Sequence, residues 1–128
     1  MKSIFLLTAL LAAAGPAPAA CKLPKDTVNV ALPSGLPPAL RNAMGDVAMP
    51  GEPFDTTDVY IKGHRHSRYI FVWNLGKRWI VATEQGGIAL FVVVFVYEIG
   101  KNDKAVLIER RNTSEGGVCA TATRLAGR

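Results

Sequence analysis

The run Ala89-Leu90-Phe91-Val92-Val93-Val94-Phe95-Val96-Tyr97-Glu98 decides the fold class. β-Branched and aromatic side chains pack well on a pleated surface and lose rotamer freedom in a helix, so a run this dense in Val, Phe and Tyr reads as a strand. It is also far shorter than the roughly 20 residues that a membrane-spanning helix needs. Leu90, Val92, Val94 and Val96 alternate with Phe91, Val93, Phe95 and Tyr97, which makes both faces of the strand apolar. Upstream, strict alternation puts Tyr69, Phe71 and Trp73 on one face and Ile70 and Val72 on the other. Strands of this kind must be covered twice: by curling of the sheet, by the N-terminal part of the chain or by a partner subunit.

Working outward, Val, Ile, Phe, Tyr, Trp and Thr recur in short runs separated by Gly, Asn, Asp and Lys, and predict strands at about 57–62, 68–74, 78–84, 89–98, 104–111 and 118–125. The gaps are of hairpin length and too short for parallel crossovers. The expected fold is therefore mainly β, one antiparallel meander of about six strands over residues 54–128, forming a partial barrel or sandwich. Six strands are fewer than the eight of the smallest outer-membrane barrels. Two echoes mark the turns: Trp73-Asn74-Leu75-Gly76-Lys77 resembles Tyr97-Glu98-Ile99-Gly100-Lys101, and Thr83-Glu84-Gln85-Gly86-Gly87 resembles Thr113-Ser114-Glu115-Gly116-Gly117. Turns reuse these residues because the same dihedral angles demand them.

Ahead of the strands, residues 20–53 are rich in Pro, Gly and Ala and form an irregular arm. One short helix is expected over 38–44, with Pro38 in its first turn and Gly45 ending it. Two turns are not stable alone, so Leu40, Ala43 or Met44 must pack on something else. Residues 1–19 have the layout of a secretory signal: Lys2, an apolar run from Ile4 to Leu11, and Ala17-Pro18-Ala19 before a cut at Ala20. The expectation is a bacterial, periplasmic or secreted protein without an integral membrane segment. In an oxidising compartment Cys21 and Cys119, the only cysteines, should pair as a disulfide that ties the ends of the chain together. Acylation of Cys21 as in a lipoprotein is the competing expectation; Pro18, where an aliphatic residue is usual, argues against it.

An up-and-down order brings the connections at 63–67, 85–88 and 112–117 to one end of the sheet and those at 75–77 and 99–103 to the other. The first end gathers His64, Arg65, His66, Arg68, Glu84, Gln85, Arg110, Arg111 and Glu115, together with Gly86-Gly87 and Gly116-Gly117, whose backbone amides are free to face a ligand. Ligand or partner binding is accordingly expected at His64, His66, Arg68, Glu84, Arg110, Arg111 and Glu115. His64-x-His66 with Glu84 has the residue types of a metal site, but an arginine between the imidazoles opposes a cation, so no metal is expected. No catalytic residues are assigned: Ser67 and Ser114 lie outside any Gly-x-Ser-x-Gly nucleophile elbow. Arg68 and Arg78 flank Glu84 as ion-pair partners, and Trp73 and Trp79 should face alternate sides as packing groups.

The chain carries 15 Lys and Arg against 10 Asp and Glu, a net charge of +5, and loss of Lys2 with the signal leaves +4. The excess favours an anionic envelope component or an acidic protein surface. The charges are dispersed and not interleaved with aromatics, so no nucleic acid is expected. The sequence thus points to a small exported binding or inhibitor-type β-domain, non-enzymatic and without cofactors. An envelope hydrolase using His64 or His66 with Glu84 is the alternative from another class. A structural envelope component that self-associates through a strand edge, a homo-oligomer, is the third.

Overall fold

A computed structural model describes residues 21–57, 62–87 and 89–128; the signal segment 1–19 and the core of the strand expected at 57–62 lie outside the described residues. The chain forms one antiparallel sheet in the order β1-β2-β3-β4-β5, with β1 Val28–Asn29, β2 Ser67–Leu75, β3 Arg78–Gln85, β4 Phe91–Ile99 and β5 Ala105–Thr113. Among the described residues two short α-helices accompany it, α1 Pro38–Met44 and α2 Val118–Ala126. No helix among the described residues is long and apolar enough to cross a membrane.

The turns are written locally. Leu75 pairs with Arg78 across a two-residue connection. Gly76 takes φ 76° at its first position, where a side chain would be strained, and the Asn74 side chain brackets it by donating to the Gly76 carbonyl at 2.9 Å. β4 and β5 are joined through residues 100–104, with Asp103 at φ 55° and the Asn102 carboxamide oxygen accepting from the Lys104 amide at 3.3 Å. α1 begins on Pro38 and stops at Gly45, φ 76°, whose amide donates to the Arg41 carbonyl at 3.0 Å, as the sequence led us to expect.

Three expectations are corrected. The segment expected as a sixth strand, 118–125, is the helix α2. Val118, Ala122 and Leu125 are buried at helical spacing against the sheet. The lead-in was legible as a cap: Ser114 Oγ accepts from the Gly117 amide at 3.1 Å and starts a 3₁₀ turn, Glu115–Gly117, that runs into the helix. The sheet is open and single rather than a partial barrel or sandwich. Finally, alternation along β2 breaks at a bulge between Tyr69 and Phe71. The extra residue turns Tyr69 to the opposite face from Phe71 and Trp73.

Double coverage of the central strands is present and has two sources. On one face Trp73, Ile80, Ala82, Val92, Val94 and Val96 pack with α2 residues Val118, Ala122 and Leu125. On the other, Tyr69, Val72, Val81 and Tyr97 pack with Leu36, Leu40 and Val47 of the arm, and Met44 adds to them while Ala43 stays exposed. The tryptophans divide between the faces, Trp73 stacked on Phe71 under α2 and Trp79 under the arm. Cys21 and Cys119 are joined, Cα atoms 5.3 Å apart and 98 positions apart in sequence, which fastens the start of the arm to the first turn of α2.

Val94 and Val81 are wholly buried on opposite faces. Val94→Ala and Val81→Ala should each cost about 1.5–3 kcal/mol in chemical denaturation. A loss confined to one of them would show that only one face is packed in solution. The Tyr69 hydroxyl is buried without a hydrogen-bond partner, and burial pushes its pKa up to about 12. Burial raises Tyr97 as well. With the folded value above the unfolded one, the stability contribution is complete below about pH 10 and is lost as the pH climbs through about 12. Tyr69→Phe should therefore be tolerated at neutral pH and should soften the alkaline loss of stability, read from thermal melts between about pH 9 and 11.

Candidate functional site

β2 begins, β3 ends, β4 begins and β5 ends at the same end of the sheet, and the expected sorting of loops holds. Arg68 and Glu84 are directly opposed in the β2–β3 register. One Glu84 carboxylate oxygen accepts from both Nε and Nη2 of Arg68, each at 2.8 Å. The guanidinium also donates to the Glu52 carbonyl at 3.2 Å and lies 4.6 Å from the centre of the Phe54 ring. The sheet-crossing ion pair thus forms with Arg68. Arg78 instead donates from Nη1 to the Arg128 carbonyl.

Residues 46–57, the end of the arm and the segment that follows it, fold over this end and supply acidic groups that strand-by-strand reading could not connect to it. Arg65 bridges Glu52 Oε2 at 2.9 Å and Asp46 Oδ1 at 3.2 Å. The hydrogen bond that Arg65 donates to Glu52, and the Glu52 charge, raise the Arg65 pKa. Glu52 in turn is held below the usual carboxylate range by the Met49 amide and by Arg65. Asp55 accepts at Oδ1 from the Thr57 amide, 3.0 Å, and hydroxyl, 2.7 Å. Those two bonds lower its pKa, with the charges of His66 and His64 adding to them. Its other oxygen, Oδ2, is buried 4.0 Å from His64 Nδ1. The backbone closes the same way: Asp55 donates its amide to the Arg65 carbonyl at 2.7 Å and Gly86 donates to the His66 carbonyl at 2.8 Å. Gly86 is required here, since a Cβ would run into the Asp55 carbonyl.

His64, His66, Arg68 and Glu84 therefore do gather, joined by Asp46, Glu52, Phe54 and Asp55, which the sequence reading missed. The signal available was the acidic spacing of 46, 52 and 55 beside a basic loop. Arg110, Arg111 and Glu115 stay apart from them. Arg110 and Arg111 lie two strands away from Glu84 on opposite faces of β5, Arg110 over the Phe95 ring at 5.5 Å and Arg111 on Glu109 at 2.7 Å. Glu109 also takes Arg128 at 2.8 Å. Its pKa is lowered: burial works to raise it, and the two arginines outweigh that. Glu115 is exposed at the start of the 3₁₀ turn.

Three of the four glycine amides expected to face a ligand are engaged within the chain, Gly86 as above, Gly87 with the Thr56 carbonyl at 3.4 Å and Gly117 with Ser114. No group of three or more His, Cys, Asp or Glu among the described residues is arranged to hold a metal ion. No family model matches the chain, and no curated protein or solved structure matches it either.

The Asp55 and Glu52 pKa values are lowered by folding, so the unfolded chain binds their protons first as the pH falls. Their contribution is complete above the ordinary carboxylate values, 3.8 and 4.5, and is lost as the pH drops through the lowered folded values. Asp55→Asn keeps an acceptor for Thr57 but removes one of these titrations. The variant should lose less stability than the wild type between about pH 4 and 2 in melts at fixed ionic strength. Parallel acid limbs for both proteins would remove Asp55 from the account.

Proposed function

We propose that the chain is an exported, non-enzymatic binding domain of inhibitor type whose partner meets the β5 side of the sheet. The observation that carries this is an asymmetry of exposure. β2, β3 and β4 are covered on both faces, whereas β5 exposes three large aliphatic side chains in succession: Val106 at 56 %, Leu107 at 49 % and Ile108 at 49 %. Val106 is paired with Glu98 and Leu107 with Tyr97, so neighbouring aliphatics point to opposite faces and border the strand from both sides. Single exposed apolar residues are ordinary, whereas a group of them on one element marks an interaction surface. The loop end first suspected is supported less well as a partner surface, because Arg65 and Arg68 already hold carboxylates of the same chain. The hydrolase alternative needs Glu84 as a proton acceptor, and Glu84 is bound to Arg68 with only 15 % of its side chain exposed. Export accords with the paired Cys21 and Cys119.

Expression with the full leader in a bacterial host should yield a periplasmic chain whose first residue is Ala20, by fractionation and intact mass. The purified oxidised protein should leave ester, phosphoester and peptidoglycan substrates unchanged with or without zinc. Turnover that disappears in Glu84→Gln would overturn the reading in favour of the hydrolase.

A further inference from the structure

We infer that the occupant of the β5 edge is an extended acidic segment of another protein, added as a further strand alongside Ala105–Thr113; this rests on the binding-domain reading above. Among the described residues β5 has a strand neighbour on one side only. Every second residue of such a strand turns its N–H and C=O outward, and these groups are satisfied best by another backbone. The chain treats its other edge differently. There β1 pairs with Trp73 and Asn74, Val30 donates to the Val72 carbonyl at 2.8 Å, and Ala48 bridges Arg68 through bonds of 2.9 and 2.8 Å with Ser67 and Tyr69. The arm thus covers both halves of the β2 edge, while among the described residues no strand pairs with the outer side of β5.

Charge selects the partner. The aliphatic run is bracketed by exposed Lys101 and Lys104 on one side, with exposed Asp103 between them, and by exposed Arg110 on the other. Exposed Glu98 stands opposite Val106, and no carboxylate lies within ion-pair distance of the three cations among the described residues, so each flank keeps an excess of positive charge. An apolar centre between two cationic flanks fits a segment with apolar residues between acidic ones. A second copy fits poorly. The antiparallel two-fold register that stacks the aliphatics on each other centres on Leu107 and sets Lys104 against Arg110 at both ends of the pairing. β5 is also bulged, Leu107 facing Tyr97 and Glu109 facing Val96 with Ile108 between them. Bulges and edge charges discourage indiscriminate pairing and leave a charge-matched strand admissible. A lipid surface would meet the cations but not the outward backbone groups.

The test uses the oxidised mature chain and two synthetic peptides, each with a Val-Thr-Val-Thr-Val centre, one flanked by Asp and Glu and the other by Lys. The acidic peptide should bind in a titration read by fluorescence anisotropy, weaken as salt rises, and protect β5 amides from hydrogen exchange. The Lys-flanked peptide should not bind. The double variant Lys104→Glu/Arg110→Glu, on exposed positions where the fold is retained, should weaken the acidic peptide by about tenfold or more and admit the basic one. Equal binding of both peptides, or no protection of β5, overturns the proposal. So does a concentration-dependent dimer by sedimentation that Leu107→Lys abolishes, which names a second copy, or β5 protection by phosphatidylglycerol vesicles, which names a lipid surface. If the acidic peptide fails while the chain shows no turnover, this occupant is withdrawn and the binding domain stands; turnover removes the binding domain itself.

Discussion

Two-sided apolarity of β2, β3 and β4 is the constraint on which the rest of the structure depends. Val81 and Val94 are both wholly buried, yet they belong to opposite faces. A single sheet cannot bury both by itself, and with four long strands and one short one it is too small to close around an interior. The covers come from opposite ends of the described chain, the arm on one face and α2 on the other. Neither is stable alone: α1 runs only from Pro38 to Met44 and α2 only from Val118 to Ala126, short of the length at which isolated helices persist in water. Each is held by the apolar surface that it covers. The Cys21–Cys119 link restrains both covers at once, because it joins the segment leading into the arm to the first turn of α2. A long closed loop removes more unfolded-chain entropy than a short one, so this pairing is well placed to support a fold whose two lids are marginal.

Most of the fold was legible from pattern and the misses have definite causes. β2 to β5 and α1 could be read because period-two runs, Gly and Pro act locally. α2 resembles a strand by composition, since Val118, Thr121 and Thr123 carry β propensity, but its buried residues Val118, Thr121, Ala122 and Leu125 stand at helical spacing, and the Ser114 cap leads into it. β1 could not be read at all: Val28 and Asn29 form a strand because β2 offers an edge, which is a tertiary cause. The reversal of Tyr69 is likewise invisible to alternation, since the bulge at Ile70 depends on the pairing with β3.

The candidate site shows the same division. Opposition of Arg68 and Glu84 follows from strand order and hairpin length, both available in the sequence. That Glu52 and Asp46 neutralise Arg65 depends on where the arm lies, and so the loop end looked like a concentration of free charge when it is a closed electrostatic cluster. Hydrogen bonds and paired charges lower the Glu52 and Asp55 pKa values and raise that of Arg65, which is what stabilised ion pairs do. A perturbed pKa can mark either catalysis or structure. Here each perturbing partner is another group of the same fold, and the perturbation is accounted for without a substrate.

What remains is a contrast between two edges of one sheet. The chain commits residues 28–30 and 48 to covering β2, which shows that the fold has segments able to blunt an edge. At β5 it uses other means: a bulge at Ile108, and a Glu109 whose charge is spent on Arg111 and Arg128. An edge hidden under the chain can recognise nothing, whereas a bare, flat, apolar edge would join any strand it met. A bulged edge with a short aliphatic run and unneutralised cations on either side lies between those limits. Its backbone can pair, while its side chains restrict which strand does so. That combination joins the positive charge of the chain and the exposed aliphatic side chains of β5 in a single account, which neither the loop cluster nor the sheet faces provide.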